Sequence, residues 1–313
     1  MIDLTKKKIL VTGAYGFVGK HLVENLLNIR RIPKENLYLP TKEEINLIKW
    51  QDCKKVVEGQ DIIIHLAAKV GGIGLNMEKP GELFYDNLMM GTQLMEAARQ
   101  IGVEKFTGIV TVCAYPKFTP VPFKEEYIWS GYPEETNAPY GLAKKMLMVQ
   151  SQAYRDQYGF NAISLFPVNM YGPGDAFEDD KSHVIAALIK KIYNAKKWNK
   201  EYIDVWGTGE VSREFLYVKD GVEGIILATE NYDKSEPVNI GSGKEITIKE
   251  LVNLVASLMD FKGEIRWDKT KPNGQPRRCL DISRAKNEFG FMAKTDFIEG
   301  LKNTIKWYQE NNE

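Results

Sequence analysis

The sequence predicts an α/β fold in which a doubly wound parallel sheet is joined to a smaller C-terminal substrate-binding domain. Three observations lead to this prediction. The chain has 313 residues, a length that corresponds to about two domains. Strand patterns alternate with helical patterns over its first half, which is typical of a parallel sheet covered by helices on both faces. A glycine-containing turn follows the first strand, where such folds bind phosphate groups.

The first strand covers residues 8–12 and leads through the glycine turn into a helix from residue 16. In this turn, Gly13 permits the tight change of direction, Gly16 lets a pyrophosphate approach the backbone, and Gly19 lets the helix pack on the strand. The helix N-terminus then faces the phosphates. A purely structural connection is the alternative. The position after the first strand favours a Rossmann-type dinucleotide site made of Gly13, Tyr15, Gly16, Phe17, Val18 and Gly19.

The alternation continues along the chain. It predicts strands over 36–40, 61–66, 105–112 and 161–166, and helices from about residue 42, over 81–101 and over 139–158. Ligands of parallel sheets bind at the carboxyl ends of the strands. Here those ends carry Ala67, Ala68, Lys69, Thr111, Cys113, Pro167 and Asn169.

The pattern changes after Gly174, where it becomes irregular and polar, and a helix from His183 to Ala195 is its clearest element. This change suggests a smaller part that covers the substrate above the sheet. We therefore predict a dinucleotide-binding domain over residues 1–168, to which residues 214–241 return. Residues 169–313 are predicted to form mainly the substrate-binding domain.

Tyr140 and Lys144 are four residues apart on a predicted helix, so both side chains project from one face. A phenol exchanges protons poorly at neutral pH, and a neighbouring ammonium group lowers its pKa by stabilising the phenolate. Such a pair suits proton transfer at a carbonyl oxygen during hydride transfer. The same spacing is common on amphipathic helices, so the interpretation depends on the glycine turn and the strand ends.

The second strand suggests which cofactor binds. It ends at Pro40 and is followed by Thr41 and Lys42, without the acidic residue that commonly binds the ribose of NAD. Thr41 and Glu44 fit a capping box, which leaves Lys42 in the first helical turn, where a basic residue can meet a 2′-phosphate. The sequence therefore favours NADP over NAD, and a solvated helix lysine is the alternative.

The composition excludes several other classes of protein. Basic and acidic residues balance at 42 each, and no basic block indicates a nucleic-acid surface. No apolar run suggests a membrane span, and the N-terminus has no signal-peptide pattern, so we expect a cytoplasmic protein. Three scattered cysteines predict reduced thiols. The three histidines show no metal-ligand spacing, and we expect no metal.

Further segments carry a resemblance to a known family. The most specific are Lys69-Val-Gly-Gly-Ile73, Cys113-Ala-Tyr-Pro-Lys117 and Ser182-His-Val-Ile185, and the others are Asp86-Asn87, Glu135-Thr-Asn137, Pro167-Val-Asn-Met-Tyr-Gly-Pro173, Val205-Trp-Gly207 and Arg213-Glu-Phe215. In these segments the chain resembles the extended short-chain dehydrogenase/reductases and, among them, the GDP-L-fucose synthase family. The resemblance extends over nearly the whole chain.

The resemblance implies an NADPH-dependent enzyme that acts on a GDP-4-keto-6-deoxy-mannose-type sugar, with epimerisation at carbons 3 and 5 and reduction at carbon 4. The 4-keto group acidifies both flanking carbons, so a base and an acid across the ring can invert each centre through an enolate. The resemblance assigns these roles to Cys113 and His183. Tyr140 would protonate the carbon 4 oxygen, Lys144 would hold the nicotinamide ribose, and Thr111 would bond the keto oxygen and stabilise the enolate.

The resemblance also implies binding residues and a homodimer formed through the Tyr140 helix and its neighbour. Its nucleotide-sugar contacts fall on Asn169, Lys191, Trp206, Arg213 and Arg278, and its further cofactor contacts on Ala67, Ala68, Lys69, Tyr140, Lys144, Pro167, Asn169 and His183. Six positions depart from the family pattern: Thr111 replaces a serine, Lys42 and Lys191 replace arginines, Arg278 replaces a lysine, Gly141 replaces an alanine and Ala114 replaces a larger branched residue. The threonine hydroxyl can do the same work, although its methyl group narrows the pocket.

Each role has a structural alternative. Cys113 can be a small buried thiol at a strand end, His183 can be a surface residue that caps the following helix, and Trp206 can be a core residue. Lysine acts as a point charge where arginine binds a diphosphate bidentately, which weakens the case for Lys191. His65, within an apolar strand, is interpreted as a packed residue without a catalytic role.

Two other functions compete with this interpretation. One is a reductase of a GDP-4-keto-heptose or a related sugar in capsule or surface polysaccharide synthesis, with little or no epimerisation. Gly141, Ala114 and the acidic Glu178-Asp-Asp180 next to the motifs could enlarge or repolarise its pocket. The other is a cofactor-binding regulatory or scaffold protein, against which the intact Thr111, Tyr140 and Lys144 argue.

Overall fold

A six-stranded parallel sheet lies at the centre of the molecule. From one edge to the other, its strands are Leu37–Tyr38, Ile9–Thr12, Ile62–His65, Lys105–Ile109, Ala162–Pro167 and Val238–Ile240. The structure is a computed structural model that describes residues 1–178 and 182–312. Its strands are β1 Ile9–Thr12, β2 Leu37–Tyr38, β3 Ile62–His65, β4 Lys105–Ile109, β5 Ala162–Pro167, β6 Asn169–Tyr171, β7 Tyr202–Trp206, β8 Ser212–Tyr217, β9 Val238–Ile240, β10 Glu245–Thr247 and β11 Glu264–Asp268. The predicted Rossmann-type parallel sheet is thus confirmed.

Helices cover both faces of this sheet. They are α1 Phe17–Asn28, α2 Trp50–Val57, α3 Ile73–Glu78, α4 Pro80–Ile101, α5 Ala138–Tyr158, α6 Val184–Lys197, α7 Val218–Asn231, α8 Ile248–Leu258, α9 Ser283–Phe289 and α10 Phe297–Glu310. α1 and α7 pack against each other, and α2, α4 and α5 pack together. Within the described part of the chain, no helix combines the length and apolar character needed to cross a membrane.

The apolar strands serve both layers because successive side chains point to opposite faces. In β1, Ile9 and Val11 belong to the core that includes Leu22 of α1 and Val222 of α7. Leu10 belongs to the opposite core, with Leu94 of α4. An uninterrupted apolar run is therefore required for a strand that is buried on both faces.

The two long helices end where the sequence permits a left-handed residue. α4 starts with Pro80 in its first turn and stops at Gly102, whose φ is 78°. α5 stops at Gly159, whose φ is 66°. Glycine takes this conformation without a Cβ penalty and so closes a helix favourably. The predicted helices over 81–101 and 139–158 agree with these bounds.

A smaller part follows β5 in the chain. It contains the three-stranded sheet β10-β8-β6 and the parallel pair β11-β7. Its core includes Ile189 of α6, Val205 of β7, Leu251 of α8 and Leu301 of α10. Beyond the helix from His183, the irregular and polar sequence pattern after Gly174 did not predict these elements. They are short strands and amphipathic helices that bury a second core.

Two other predicted elements are also wrong in their bounds. The helix expected from about residue 42 starts at Trp50, and residues 42–44 form a turn. Thr41 and Glu44 do exchange the bonds of a capping box, at 2.8 and 3.3 Å, but no helix follows them. The strand expected to reach residue 112 ends at Ile109, because Thr111 caps a 3₁₀ turn over Val112–Ala114.

Part of the predicted return segment lies in the central sheet. α7 packs beside α1, and β9 pairs in parallel with β5 through Leu165–Val238, Phe166–Asn239 and Pro167–Ile240. β8, at the start of that segment, instead lies in the three-stranded sheet. The division into domains at residue 168 remains a prediction.

Candidate active site

The glycine turn after β1 forms a tight backbone cradle. Gly13 has a φ of 75°, and a Cβ atom on it would lie 2.8 Å from the amide nitrogen of Ala67. A Cβ on Gly19 would lie 2.1 Å from the carbonyl oxygen of Gly13. Gly16 is the N-cap of α1, so the first amides of the helix, from Phe17 onward, are free of a capping side chain. A cradle closed to side chains, with a helix N-terminus at its rim, fits a dinucleotide pyrophosphate.

The end of β3 lies beside this cradle. The hydroxyl of Thr12 accepts a hydrogen bond from the amide of Ala67 at 3.3 Å and bonds the Nδ1 atom of His65 at 2.8 Å. His65 is 1% exposed, as expected of a packed strand residue. The side chain of Asn87 in α4 accepts a hydrogen bond from the amide of Lys69 at 3.0 Å and donates one to the carbonyl oxygen of the same residue at 2.9 Å. The Ala67 to Lys69 segment is thus held against the glycine turn.

Lys42 lies in the turn beyond β2. Its side chain is 92% exposed, and its ammonium group lies 3.9 Å from a carboxylate oxygen of Glu43. This position beyond β2 matches the sequence-based expectation, but the lysine is in a turn and not in a helix. An exposed, weakly held lysine is available to an anionic ligand. The same exposure is expected of a solvated surface lysine.

Tyr140 and Thr111 meet where the first turn of α5 faces the end of β4. Burial and the neighbouring Cys113 raise the pKa of Tyr140, and the smaller, opposing effect of the Thr111 hydroxyl does not offset them. Lys144 lies one helical turn further on and is 4% exposed, and burial lowers its pKa to about 8. Tyr140 is therefore a protonated donor at neutral pH.

The expected effect of Lys144 on Tyr140 is wrong for this structure. The pKa of Tyr140 is raised, not lowered, because burial disfavours the charged form of a phenol as it does that of an ammonium group. The charge of Lys144 acts instead on His65, whose pKa is lowered by burial and further by Lys144. The two side chains still project from one face of α5, as their spacing predicts.

Cys113 follows Thr111 in the 3₁₀ turn. Its thiol is free and partly exposed, and its amide donates to the Thr111 hydroxyl at 3.2 Å. Behind the turn, a Cβ atom on Gly141 would lie 2.5 Å from the Cys113 carbonyl oxygen. The suggestion that Gly141 enlarges the pocket is therefore wrong, because its open side is filled by backbone. Ala114 is fully buried and does not widen the pocket either.

His183 is the N-cap residue of α6, but its side chain accepts no hydrogen bond from the described first-turn amides of that helix. The capping alternative is therefore not supported. His183 is exposed at the surface, as its structural alternative requires. Nearby protein groups still lower the pKa of the imidazole by partial desolvation, and the charge of Arg278 lowers it further. A neutral imidazole can accept a proton at pH 7. Asp179 and Asp180, which precede His183, lie outside the described residues.

Arg213 and Arg278 are two buried cations of this site. Arg213 is 8% exposed and Arg278 is 6% exposed. Burial and the charge of Arg278 lower the pKa of Arg213 to about 9, whereas Cys113 and Glu134 act in the opposite direction. Among the ion pairs of residues 1–178 and 182–312, neither guanidinium has a carboxylate partner. Buried, mutually repelling guanidinium groups fit an anionic ligand such as a diphosphate.

The remaining candidates lie further along the smaller part. Asn169 at the start of β6 faces Arg278, with 3.4 Å between its Oδ1 atom and the Nη1 atom of the arginine. Lys191 of α6 donates to the backbone of Asp204 at 2.8 Å, beside a surface cavity of about 600 Å³. Trp206 is 49% exposed, so the core alternative is not supported. No described contact joins Lys191 or Trp206 to Tyr140.

Sequence reasoning missed three buried polar residues around the site: Glu134, Glu214 and Gln275. Glu134 bonds the side chains of Thr136 and Asn137 just before α5. Glu214 accepts bonds from the amides of Gly243 and Leu280 at 2.7 and 2.6 Å. Glu214 and Gln275 bond groups from distant segments, whereas Glu134 bonds its near neighbours. The one available sign in the sequence was that Glu214 lies within the Arg213-Glu-Phe215 motif.

The chain is similar to known proteins over nearly its whole length. GDP-L-fucose synthase 1 of Arabidopsis thaliana is 38% identical to the chain over 306 residues, covering 97% of this chain and 94% of that protein. A GDP-6-OMe-4-keto-L-xylo-heptose reductase from Campylobacter jejuni has a TM-score of 0.91 at 28% identity, over 98% of this chain and 99% of that one. A GDP-mannoheptose C4 reductase from the same organism, with NADP bound, has a TM-score of 0.87 at 28% identity, over 97% and 99%.

The family model of the NAD-dependent epimerases and dehydratases matches residues 9–241. This range contains the glycine cradle, the Tyr140 helix and both Cys113 and His183. The chain therefore belongs to the NAD-dependent epimerase/dehydratase family, and within it to the group that contains the GDP-L-fucose synthases.

Proposed function

We propose that the protein catalyses the NADPH-dependent reduction of carbon 4 of a GDP-linked 4-keto-6-deoxy-mannose-type sugar, with epimerisation at carbons 3 and 5. The product is GDP-L-fucose or a close relative. The observation that carries the proposal is the close packing of the first turn of α5, which carries Tyr140, on the turn capped by Thr111 that contains Cys113, where a Cβ atom on Gly141 would lie 2.5 Å from the Cys113 carbonyl oxygen. Together Tyr140, Thr111 and Cys113 form the set that proton transfer around a carbonyl requires. The similarity to GDP-L-fucose synthase 1 supports the substrate class.

Tyr140 donates its proton to the carbon 4 oxygen in the reductive step. When bound, NADPH supplies a hydride to that carbon. Thr111, which lies beside Tyr140, donates to the same keto oxygen and holds it in place. Lys144 binds the nicotinamide ribose. A protonated tyrosine needs no lowered pKa to act as a donor in this direction.

Cys113 and His183 serve the epimerisation. One group removes a proton from carbon 3 or carbon 5, the electron pair moves into the enolate of the 4-keto group, and the other group returns a proton to the opposite face. His183, whose pKa is lowered by desolvation and Arg278, is neutral at pH 7 and can accept a proton. The hydroxyl of Thr111 stabilises the enolate oxygen.

The nucleotide parts of both ligands have separate sites in this proposal. Arg213 and Arg278 bind the diphosphate of the sugar nucleotide, Asn169 supports Arg278, and Lys191 and Trp206 contact the nucleotide. The cofactor lies along the carboxyl ends of the central strands, with Lys42 at its 2′-phosphate. Its other contacts are Gly13, Tyr15, Gly16, Phe17, Val18, Gly19, Ala67, Ala68, Lys69, Tyr140, Lys144, Pro167, Asn169 and His183. The NADP-containing reductase from Campylobacter jejuni supports this choice of cofactor.

A second candidate function is the C4 reduction of a GDP-4-keto-heptose, with little or no epimerisation, in the synthesis of a capsule or another surface polysaccharide. The observation in its favour is the TM-score of 0.91 with a heptose reductase. The Gly141 and Ala114 substitutions give it no support, since both face protein. It differs from the first proposal in the behaviour of carbons 3 and 5.

We also propose that the protein acts as a cytoplasmic homodimer with the domain division at residue 168. α4 and α5 pack side by side and expose apolar side chains, including Tyr85, Val149 and Tyr158. Two such pairs would form a four-helix interface. The free state of all three cysteines is compatible with a reducing compartment.

Proton exchange tests the proposed function. Wild-type protein is incubated with GDP-4-keto-6-deoxy-mannose in D₂O without NADPH, and deuterium at carbons 3 and 5 is followed by NMR. We expect exchange at both carbons, because the enolate forms before any hydride is supplied. Cys113→Ser should suppress the exchange and still oxidise NADPH, releasing the unepimerised alcohol. Cys53→Ser, at a buried free thiol of α2, is the matched control.

The outcomes separate the candidates. Oxidation of NADPH by wild-type protein without any deuterium at carbons 3 and 5 contradicts the bifunctional proposal and leaves the reductase. Parallel reactions with a GDP-4-keto-heptose then identify the preferred sugar. Neither oxidation nor exchange with any of these substrates contradicts both functions.

A further inference from the structure

Residues 273–280 form a segment with little regular structure that connects several parts of the candidate site. Arg213 donates to the carbonyl of Asn273 at 3.0 Å, and the amide of Ser212 donates to the carbonyl of Pro276 at 3.1 Å. Glu214 accepts from the amide of Leu280 at 2.6 Å. The segment carries Arg278, so its placement determines where that cation lies.

Gln275 is the residue of this segment that reaches across the site. It is 2% exposed. Its Nε2 atom donates to the carbonyl oxygens of Pro116 and Lys117, at 3.0 and 3.2 Å. Its Oε1 atom accepts from the Nε atom of Arg278 at 3.1 Å. A primary amide is required here, because one end must donate to carbonyls while the other accepts from a guanidinium.

The two carbonyls belong to the segment that carries Cys113. Thr111 caps the turn that contains Cys113. Tyr115 then anchors the segment through a 2.8 Å bond from its hydroxyl to Asn239. Pro116 and Lys117 follow Tyr115 directly. A hydrogen bond to their carbonyl oxygens therefore fixes the position of Gln275 relative to the Cys113 turn. Gln275 therefore links Arg278, the cation proposed to bind the diphosphate, to the backbone that holds a proposed acid or base.

We propose that Gln275 is a positioning residue, which orients Arg278 for the diphosphate and fixes the distance between that diphosphate and the Cys113 turn. This inference rests on the proposed function. An arginine side chain has several rotatable bonds, and the loss of a hydrogen bond at Nε frees it to turn within the site. Nothing in the chemistry requires Gln275 to touch the sugar. Its effect passes through Arg278 and through the backbone at residues 116 and 117.

Binding of GDP tests the orientation of Arg278 without turnover. We expect Gln275→Met, which preserves length and removes both polar ends, to raise the Kd for GDP on the order of tenfold, because a hydrogen bond to a charged group is lost. Gln275→Glu should weaken the binding of GDP at least as much. Its carboxylate competes with the diphosphate for Arg278, and it can no longer donate to the two carbonyl oxygens. Gln60→Met is the matched control, since Gln60 also bonds a backbone carbonyl but lies far from the site.

Kinetics and exchange test the link to Cys113. Gln275→Met should raise the KM for the GDP-4-keto sugar and slow deuterium incorporation at carbons 3 and 5 by about tenfold. The kcat for C4 reduction and the Kd for NADPH should stay within about twofold of wild type. If Gln275 had only a structural role, Gln275→Met would instead lower the unfolding temperature and weaken the binding of NADPH and GDP together.

An unchanged Kd for GDP in Gln275→Met overturns the inference. If that variant does not fold, as judged by circular dichroism and NADPH binding, Gln275→Glu decides, and a wild-type Kd for GDP in it overturns the inference as well. Failure of the wild-type protein to bind GDP contradicts the proposed function and removes this inference with it. Normal GDP binding by both wild type and variant leaves the proposed function and overturns only the role of Gln275.

Discussion

The open side of Gly141 faces the carbonyl oxygen of Cys113 so closely that an added Cβ atom would lie 2.5 Å from that oxygen. Helix α5 can therefore approach the Cys113 turn only where it lacks a side chain. Tyr140 precedes Gly141 directly, so the same contact sets how near the phenol comes to the thiol. This close packing accounts for the effect of Cys113 on the pKa of Tyr140.

Gly141→Ala should destabilise the protein and disturb the site. The new methyl group must displace either the backbone of Cys113 or the first turn of α5, and such overpacking costs about 1–3 kcal/mol. Thermal and urea unfolding measure the loss, and deuterium exchange at carbons 3 and 5 should slow with it. Gly81→Ala is the control, because no atom lies within 4 Å of its added Cβ. Equal stability of Gly141→Ala and Gly81→Ala would contradict the close contact.

Tyr140→Phe should lower the rate of C4 reduction by about two to four orders of magnitude, because it removes the proton donor while keeping the ring. The Kd for NADPH, measured by fluorescence titration, should change little. Deuterium exchange should persist, since the proposed roles of Cys113 and His183 do not use the phenol. A turnover close to that of wild type would rule out Tyr140 as the donor.

Lys42→Ala should raise the Kd for NADPH by about tenfold or more and leave the Kd for NADH nearly unchanged, because only NADPH carries a 2′-phosphate. The effect should decrease as the salt concentration rises. Lys34→Ala is the matched control, because Lys34 precedes β2 whereas Lys42 follows it. Equal losses for the two cofactors would identify Lys42 as a solvated surface lysine.

Lys105 should make stability depend on pH. This lysine of β4 is 1% exposed, and burial lowers its pKa from 10.5 to about 8. Between these values the unfolded chain holds a proton that the folded protein has released. The free energy of unfolding should therefore rise with pH, by about 1 kcal/mol per pH unit from this group. Below about pH 8 the penalty for the buried cation is fully present.

Urea unfolding of wild type and Lys105→Met at about pH 8, 9 and 10 isolates this contribution, because all other groups titrate in both proteins. The wild-type curve should rise more steeply than the variant curve. In the structure Lys105 donates to the carbonyls of Ala228 and Tyr232, near the end of α7. Equal slopes would mean that these carbonyls keep the lysine protonated.

Much of the sheet could be predicted from the sequence because its determinants are local. The apolar run at Ile9 to Thr12 and the left-handed Gly13 are adjacent in the chain, and Tyr140 and Lys144 are one helical turn apart. Periodicity and glycine positions report on such features directly. Long helices with a glycine end, such as α4 before Gly102, were predictable for the same reason.

The smaller part and the supporting residues of the site depend on distant contacts. Gln275 bonds carbonyls at 116 and 117, and Glu214 joins β8 to Leu280. No local pattern encodes such pairs. Burial also reversed one chemical expectation: the pKa of Tyr140 is governed by the loss of water around it and not by its helical neighbour Lys144. Spacing places two side chains on one face but does not determine how much solvent reaches them.

The late position of β9 in the chain has a consequence for biosynthesis. Its partner β5 ends at Pro167, yet Val238–Ile240 must arrive before the outer side of β5 is paired. A nascent chain that has emerged only as far as β5 exposes a strand edge that can recruit other chains. Folding of the nucleotide-binding sheet therefore finishes only after most of the polypeptide has left the ribosome, and a fragment cut at the end of β5 should aggregate where the whole chain does not.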